Sequence, residues 1–151
     1  MGRRWQDGRG TLVVPEARRG GGPGGAGGAG GSGRAGGSGR AGEPRGARVP
    51  LEIATSYRAR TKGLLGRDSV DGAILLSPAN SIHTFRMRIP IDVAYLDRDL
   101  NVIAVRTMKP WRLGLPRPRS RHVLEAEAGA MAGWGLRAGV RVEVRDVPAR
   151  D

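Results

Sequence analysis

The chain has 151 residues, 38% hydrophobic and 26% charged, and a formal net charge of +12. It contains no cysteine, which excludes disulfides, thiolate metal sites and cysteine nucleophiles. Its length fits one domain, and no apolar run approaches the roughly 20 residues that a membrane-spanning helix needs, so no membrane insertion is expected.

The positive charge is spread along the chain. Residues 1–48 carry nine basic and three acidic side chains, and residues 49–151 carry seventeen and eleven. Nearly all the basic residues are arginine, beside abundant Gly, Ala and Pro. Either a GC-rich coding bias or a surface selected for polyanions would account for this. The opening Met1–Asp7 has charges but no apolar stretch behind them, so a signal peptide is not expected and a cytoplasmic protein is the default.

Thr11–Val14 and Val49–Ala54 read as short strands. Between them, residues 20–46 hold fifteen glycines in 27 positions, a composition that cannot bury enough apolar surface to offset its ordering entropy. The simplest arrangement pairs the two strands as a hairpin with a swollen loop, because loop-closure cost grows only logarithmically with length. A detached tail ending near Arg48 is the alternative. The expected layout is an N-terminal strand within 1–14 that pairs with the core, a disordered Gly/Arg-rich insert over 15–47, a compact β domain over 48–147 and a tail over 148–151.

Thr55 or Ser56 can N-cap a short helix running to about Leu65. Gly72–Leu76 is an apolar strand, and Ser81–Met87 and Ile91–Leu96 read as strands broken at Ile89-Pro90. Asp97-Arg98-Asp99 turns the chain, with Asp97 capping. Asn101–Met108 returns as a β-branched run, and Val123–Ala126 is another strand. Ala128–Trp134 forms one or two helical turns, and Arg141–Arg145 alternates with period two. Many short strands with little helix point to a mainly β fold, a small β-sandwich or barrel-like domain with one or two short helices.

Several of these segments, Leu51–Ala54, Arg60–Arg67, Gly72–Leu76, Ile82–Asp97, Val123–Ala126 and Gly135–Val140, together resemble the domain-of-unknown-function 192 family. The resemblance implies a compact, mainly β sandwich fold and brings no activity with it. The chain has His83-Thr84-Phe85-Arg86-Met87-Arg88 where many members carry Phe-Trp-Met-Lys-Asn-Thr.

The chemistry concentrates in Ile82–Asp97. If Ser81–Met87 is extended, Ser81, His83, Phe85 and Met87 share one face and Ile82, Thr84, Arg86 and Arg88 the other. His83 then has three readings: a core residue donating to a carbonyl, a pocket-lining ligand contact, or a general acid or base. Asp92 lies inside an apolar run and needs a partner, for which Arg60, Arg67, Arg86 or Arg88 can supply a guanidinium fork. A structural ion pair is favoured over a ligand contact. Segment 108–122 carries five cations, no acid and one tryptophan, suited to phosphates with base stacking, to the rim of a pocket for an anionic ligand, or to nothing beyond solvation. Glu125 and Glu127 are expected to face solvent or pair with these arginines. Two histidines make a metal site a weak reading, and no phosphate-binding or dinucleotide motif is present.

These residues favour an uncharacterised binding module without catalytic residues, metal or cofactor. Its candidate ligand-binding residues are His83, Phe85, Arg86, Arg88, Asp92, Arg60, Trp111 and Arg112. The partner expected is an anionic small molecule or an acidic protein. A sequence-tolerant nucleic-acid binder and a small enzyme using His83 and Asp92 are the alternatives.

Overall fold

A computed structural model describes residues 5–16, 46–56, 59–60, 63–64, 67 and 69–146. Of the disordered insert expected over 15–47, residues 17–45 lie outside these, whereas Pro15, Gly46 and Ala47 belong to strands; the expected tail (148–151) also lies outside. Seven strands follow in chain order: β1 (Gly8–Pro15), β2 (Gly46–Ala54), β3 (Ala73–Leu76), β4 (Ile91–Leu96), β5 (Val102–Met108), β6 (His122–Glu127) and β7 (Glu143–Asp146), with helix α1 (Ala130–Trp134) between β6 and β7. They form one sheet in the order β5-β4-β6-β3-β2-β1-β7. The fold is mainly β, but it is a single sheet and not two stacked ones.

β1 and β2 pair antiparallel from Gly8↔Ile53 to Pro15↔Gly46. β3 lies parallel to β2, and β4 and β6 pair antiparallel at the centre. The sheet curls so far that its two edges touch: Asn101 bridges Arg141, and Val102 N–H donates to the Val140 carbonyl at 2.8 Å. That meeting point makes the sheet barrel-like, with a concave and a convex face.

Each face has its own core. All seven strands feed the concave one, through residues such as Leu12, Leu51, Leu75, Leu96, Val102, Leu124 and Val144, and α1 adds Met131. The convex core lies over β3, β4, β5 and β6, where Ile74, Ile91, Val93, Tyr95 and Val123 are covered by Leu64, Val70, Ile82 and Met87 from connecting segments. The central strands are therefore buried on both faces; every residue of β4 is buried.

The local signals act as their chemistry requires. Ser56 Oγ accepts from Ala59 N–H at 3.1 Å and so caps the turn that follows it. Asp97 Oδ1 accepts from the Asp99 and Asn101 N–H groups, both at 2.9 Å, closing the turn between β4 and β5. α1 ends at Gly135, whose φ of 78° lies in the left-handed region that glycine tolerates. No helix among the described residues is long and apolar enough to cross a membrane.

Candidate functional site

The expected strand 81–87 is absent as a sheet member. Its alternation is real at first: Ile82 and Thr84 point in, while Ser81, His83 and Phe85 are exposed. Arg86 then takes φ 62° and turns the chain, so the ladder stops and Met87 drops into the convex core. What forms instead is a ribbon of two loop segments lying across that core. Ala79 N–H donates to the Arg121 carbonyl, Arg117 N–H to Asn80, Gly114 N–H to Ile82 and Thr84 N–H to Arg112, each at 2.8 Å. Basic segment 109–121 thereby lies directly against 79–84.

Thr84 is the staple of this ribbon. It is fully buried; its hydroxyl donates to the Lys109 carbonyl at 2.6 Å and accepts from Arg112 N–H at 2.8 Å. Its carbonyl takes the N–H of Trp111 at 2.8 Å and of Met87 at 3.2 Å. The inner face of the ribbon sits close on β4. A Cβ at Gly114 would stand 2.8 Å from Tyr95 Oη and 3.0 Å from the Ile82 carbonyl, so only glycine fits there. The Arg117 guanidinium lies 4.7 Å over the Tyr95 ring, fixing the base of the ribbon by a cation–π contact.

The outer face is aromatic and cationic. His83 stacks on Phe85 at 5.0 Å between ring centroids, and Phe85 meets Trp111 at 6.3 Å. Phe85, Trp111, Leu113 and Leu115 are 41%, 61%, 71% and 79% exposed, and they are all the exposed large hydrophobics among the described residues. Arg86, Arg88 and Arg112 are exposed beside them. Among the described residues, two of the three non-glycine residues with positive φ, Arg86 and Trp111 (both 62°), belong to this surface. Such backbone costs of order 1–2 kcal/mol per residue and collects at functional positions.

His83 is thus exposed and not a core residue. Among the described residues, open clefts of about 380 Å³ and about 390 Å³ lie elsewhere, the first at the ribbon base beside Pro78 and Arg121 and the second where the sheet edges meet, beside Val13 and Arg141.

Two of the eight expected site residues serve the scaffold. Arg60 donates through Nη1 to the Pro78 carbonyl at 2.9 Å, anchoring the start of the ribbon. Asp92, 3% exposed, lies on the concave side, between the convex-core residues Ile91 and Val93. Instead of the expected guanidinium fork, its carboxylate accepts from Thr107 Oγ1 at 2.7 Å, Gly129 N–H at 2.9 Å and Met131 N–H at 3.1 Å. It caps α1, a five-residue helix with no side-chain cap of its own. The ribbon covers the opposite face of the sheet, so His83 and Asp92 form no acid–base pair. Arg67 is committed to Glu52 at 3.0 Å.

Two further groups escaped the sequence. Glu125 is 4% exposed, opposite Ile74 and Val93 in the ladder, with Oε2 lacking a hydrogen-bond partner among the described residues. Burial pushes its carboxyl up to about 7; a hydrogen bond from the Leu64 backbone and the Arg67 charge offset this only in part. Ser77 Oγ lies 2.7 Å from His122 Nδ1, and the Trp5 ring packs 4.8 Å from the imidazole. Desolvation, with the Arg121 charge, holds His122 below its ordinary value against the pull of Asp97. No group of three or more metal-ligating side chains occurs among the described residues.

A family model, DUF192, described as an uncharacterized ACR, matches residues 40–144. A UPF0127 protein of Pyrococcus horikoshii is 34% identical over 84 residues, covering 52% of this chain and 73% of its own length. One of Pyrococcus abyssi is 33% identical over 101 residues, covering 64% and 81%. Among solved structures the chain is similar to a suggested transcription regulator from Sinorhizobium meliloti 1021, with a TM-score of 0.65, 16% identity and coverage of 94% and 98%. It is also similar to a protein of unknown function from Novosphingobium aromaticivorans DSM 12444, with a TM-score of 0.61, 18% identity and coverage of 88% and 83%. At such identities the likeness is one of fold alone.

Proposed function

For a chain that belongs to the DUF192 family, we propose a non-catalytic, cytoplasmic binding role in which the outer face of the ribbon docks an anionic partner. The observation that carries this reading is the gathering of Phe85, Trp111, Leu113 and Leu115 on one surface. Single exposed apolar side chains are ordinary, whereas a contiguous set rimmed by charge marks an interaction surface. Residues 81–91 and 108–121 carry seven cations and no acid, which sets the sign of the partner. Aromatic anchors within an arginine rim are the composition of interface centres. The staple at Thr84 preorganises the surface, lowering the ordering cost of binding.

A second reading is favoured by one feature. The ring series His83, Phe85 and Trp111 beside Arg86 and Arg112 suits stacking of bases with phosphate contacts, as in sequence-tolerant binding of single strands. The two leucines argue against it, since bases and phosphates give them little to pack on. The transcription-regulator description of one structural neighbour adds nothing to either reading at that identity.

Fluorescence anisotropy with a labelled acidic peptide and a labelled single-stranded oligonucleotide, each titrated over a salt series, separates the two. The docking reading expects the peptide to bind and Trp111→Ala or Arg112→Glu to weaken it by about tenfold or more. Oligonucleotide binding with a steep salt slope, reflecting several phosphates, would favour the second reading. Wild-type affinity in both variants for both probes would discard the surface.

A further inference from the structure

We infer that the partner enters as an extended acidic peptide segment adding a strand to the free edge of the ribbon at Leu113 and Leu115, an inference that rests on the docking reading above. The hydrogen-bond pattern points there. His83 and Leu113 form an antiparallel bridge flanked by Thr84 N–H to the Arg112 carbonyl and Gly114 N–H to the Ile82 carbonyl. In an antiparallel pair, bonds on either side of a residue mean that its own N–H and C=O point away from the partner strand. Leu113 is such a residue; Leu115 lies beyond this isolated bridge, where alternation along an extended chain would bring it to the same edge.

Among the described residues neither leucine makes a backbone hydrogen bond on that outward edge. Both residues are more than two-thirds exposed. An unpaired strand edge is a template for another chain, and extended peptides exploit it with main-chain bonds for affinity and side-chain contacts for selectivity. The edge is short and bounded. Trp111 turns the chain at φ 62° on one side, and Pro116 and Pro118, lacking N–H, close the other. A strand added here is limited to the register of Leu113 and Leu115.

Charge and chemistry select the occupant. The seven cations of the two ribbon segments favour acidic side chains on the incoming strand. A second copy of this chain would bring the same cations against them. Nucleic acid has no alternating N–H and C=O groups with which to complete the ladder.

The test uses the full-length protein and a fluorescein-labelled peptide of alternating Val and Asp. Leu113→Pro, which removes the outward N–H together with the leucine side chain, should weaken binding by about tenfold or more beyond Leu113→Ala, which keeps the N–H, on the scale of one or two backbone hydrogen bonds. Circular dichroism checks that the variant remains folded. Independently of the protein's fold, N-methylation of alternate peptide amides should abolish binding in one parity and leave it within about twofold in the other. Equal loss in both parities, or no loss in either, overturns strand addition while leaving side-chain docking in place. Failure of the unmethylated peptide to bind at all removes the peptide-docking reading itself. Self-association of the wild-type protein in sedimentation, abolished by Leu113→Pro, would make a second copy the occupant and also overturn the inference.

Discussion

Thr84 and Arg112 hold each other twice, through Thr84 N–H to the Arg112 carbonyl and Arg112 N–H to Thr84 Oγ1, both at 2.8 Å. The same hydroxyl reaches the Lys109 carbonyl, so one buried side chain sets the spacing of both ribbon segments. Thr84→Val keeps the shape and removes the hydroxyl, leaving polar backbone groups without their partner. Urea unfolding should show a loss of about 1–3 kcal/mol, most of it recovered in Thr84→Ser. An unshifted midpoint in Thr84→Val would mean that the backbone bonds alone hold the ribbon.

Asp92 offers a contrasting outcome, because it supports the fold and stands away from the ribbon. Asp92→Ala strips α1 of the acceptor for Gly129 and Met131 and leaves Thr107 unpaired. The expected cost is roughly 2–4 kcal/mol, with hydrogen-exchange protection lost first at those two amides. Where the variant stays folded, its affinity for the acidic peptide should match the wild type. A selective loss of binding with stability intact would return Asp92 to the site.

Glu125 gives stability a pH dependence whose sign follows from its raised value. Below the ordinary carboxyl range the group is protonated in both folded and unfolded chains. Between the ordinary glutamate value of 4.5 and about 7 the folded protein keeps a proton that the unfolded chain has released, so stability falls as pH rises through that window and then levels off. The full effect is at most about 3 kcal/mol. Glu125→Gln should therefore unfold later than the wild type at pH 8, and the difference should vanish near pH 4. Parallel melting curves at both pH values would contradict this assignment.

The strands were legible where one face is wet. Arg141–Arg145 alternates in sequence, and Val142 and Val144 are the buried pair. The same reasoning misplaced Glu125, because β6 lies centrally between two cores and both of its faces are dry. Alternation carries no information there. At 81–87 the period-two pattern was correct for Ile82 through Phe85, and the error lay in continuing it past Arg86, whose positive φ no local residue preference announces. The partner of Asp92 was missed because backbone N–H groups leave no trace in a sequence, whereas arginines do. The rings of His83, Phe85 and Trp111 meet in series, with Arg86 and Arg112 exposed next to them in sequence. Which of their neighbours face outward was decided by Thr84, read only as one position in an alternating run.

Pro15 and Gly46 are direct partners at the end of the β1–β2 ladder, and a Cβ on Gly46 would fall on the Val14 carbonyl oxygen. The thirty residues between them begin and end at this single point of the sheet. Their number and composition are thereby uncoupled from the register of the sheet, since a longer excursion costs only the logarithm of its length. The junction works as a splice site: a fluorescent reporter or an affinity module grafted there would travel with the domain and leave the ribbon in place.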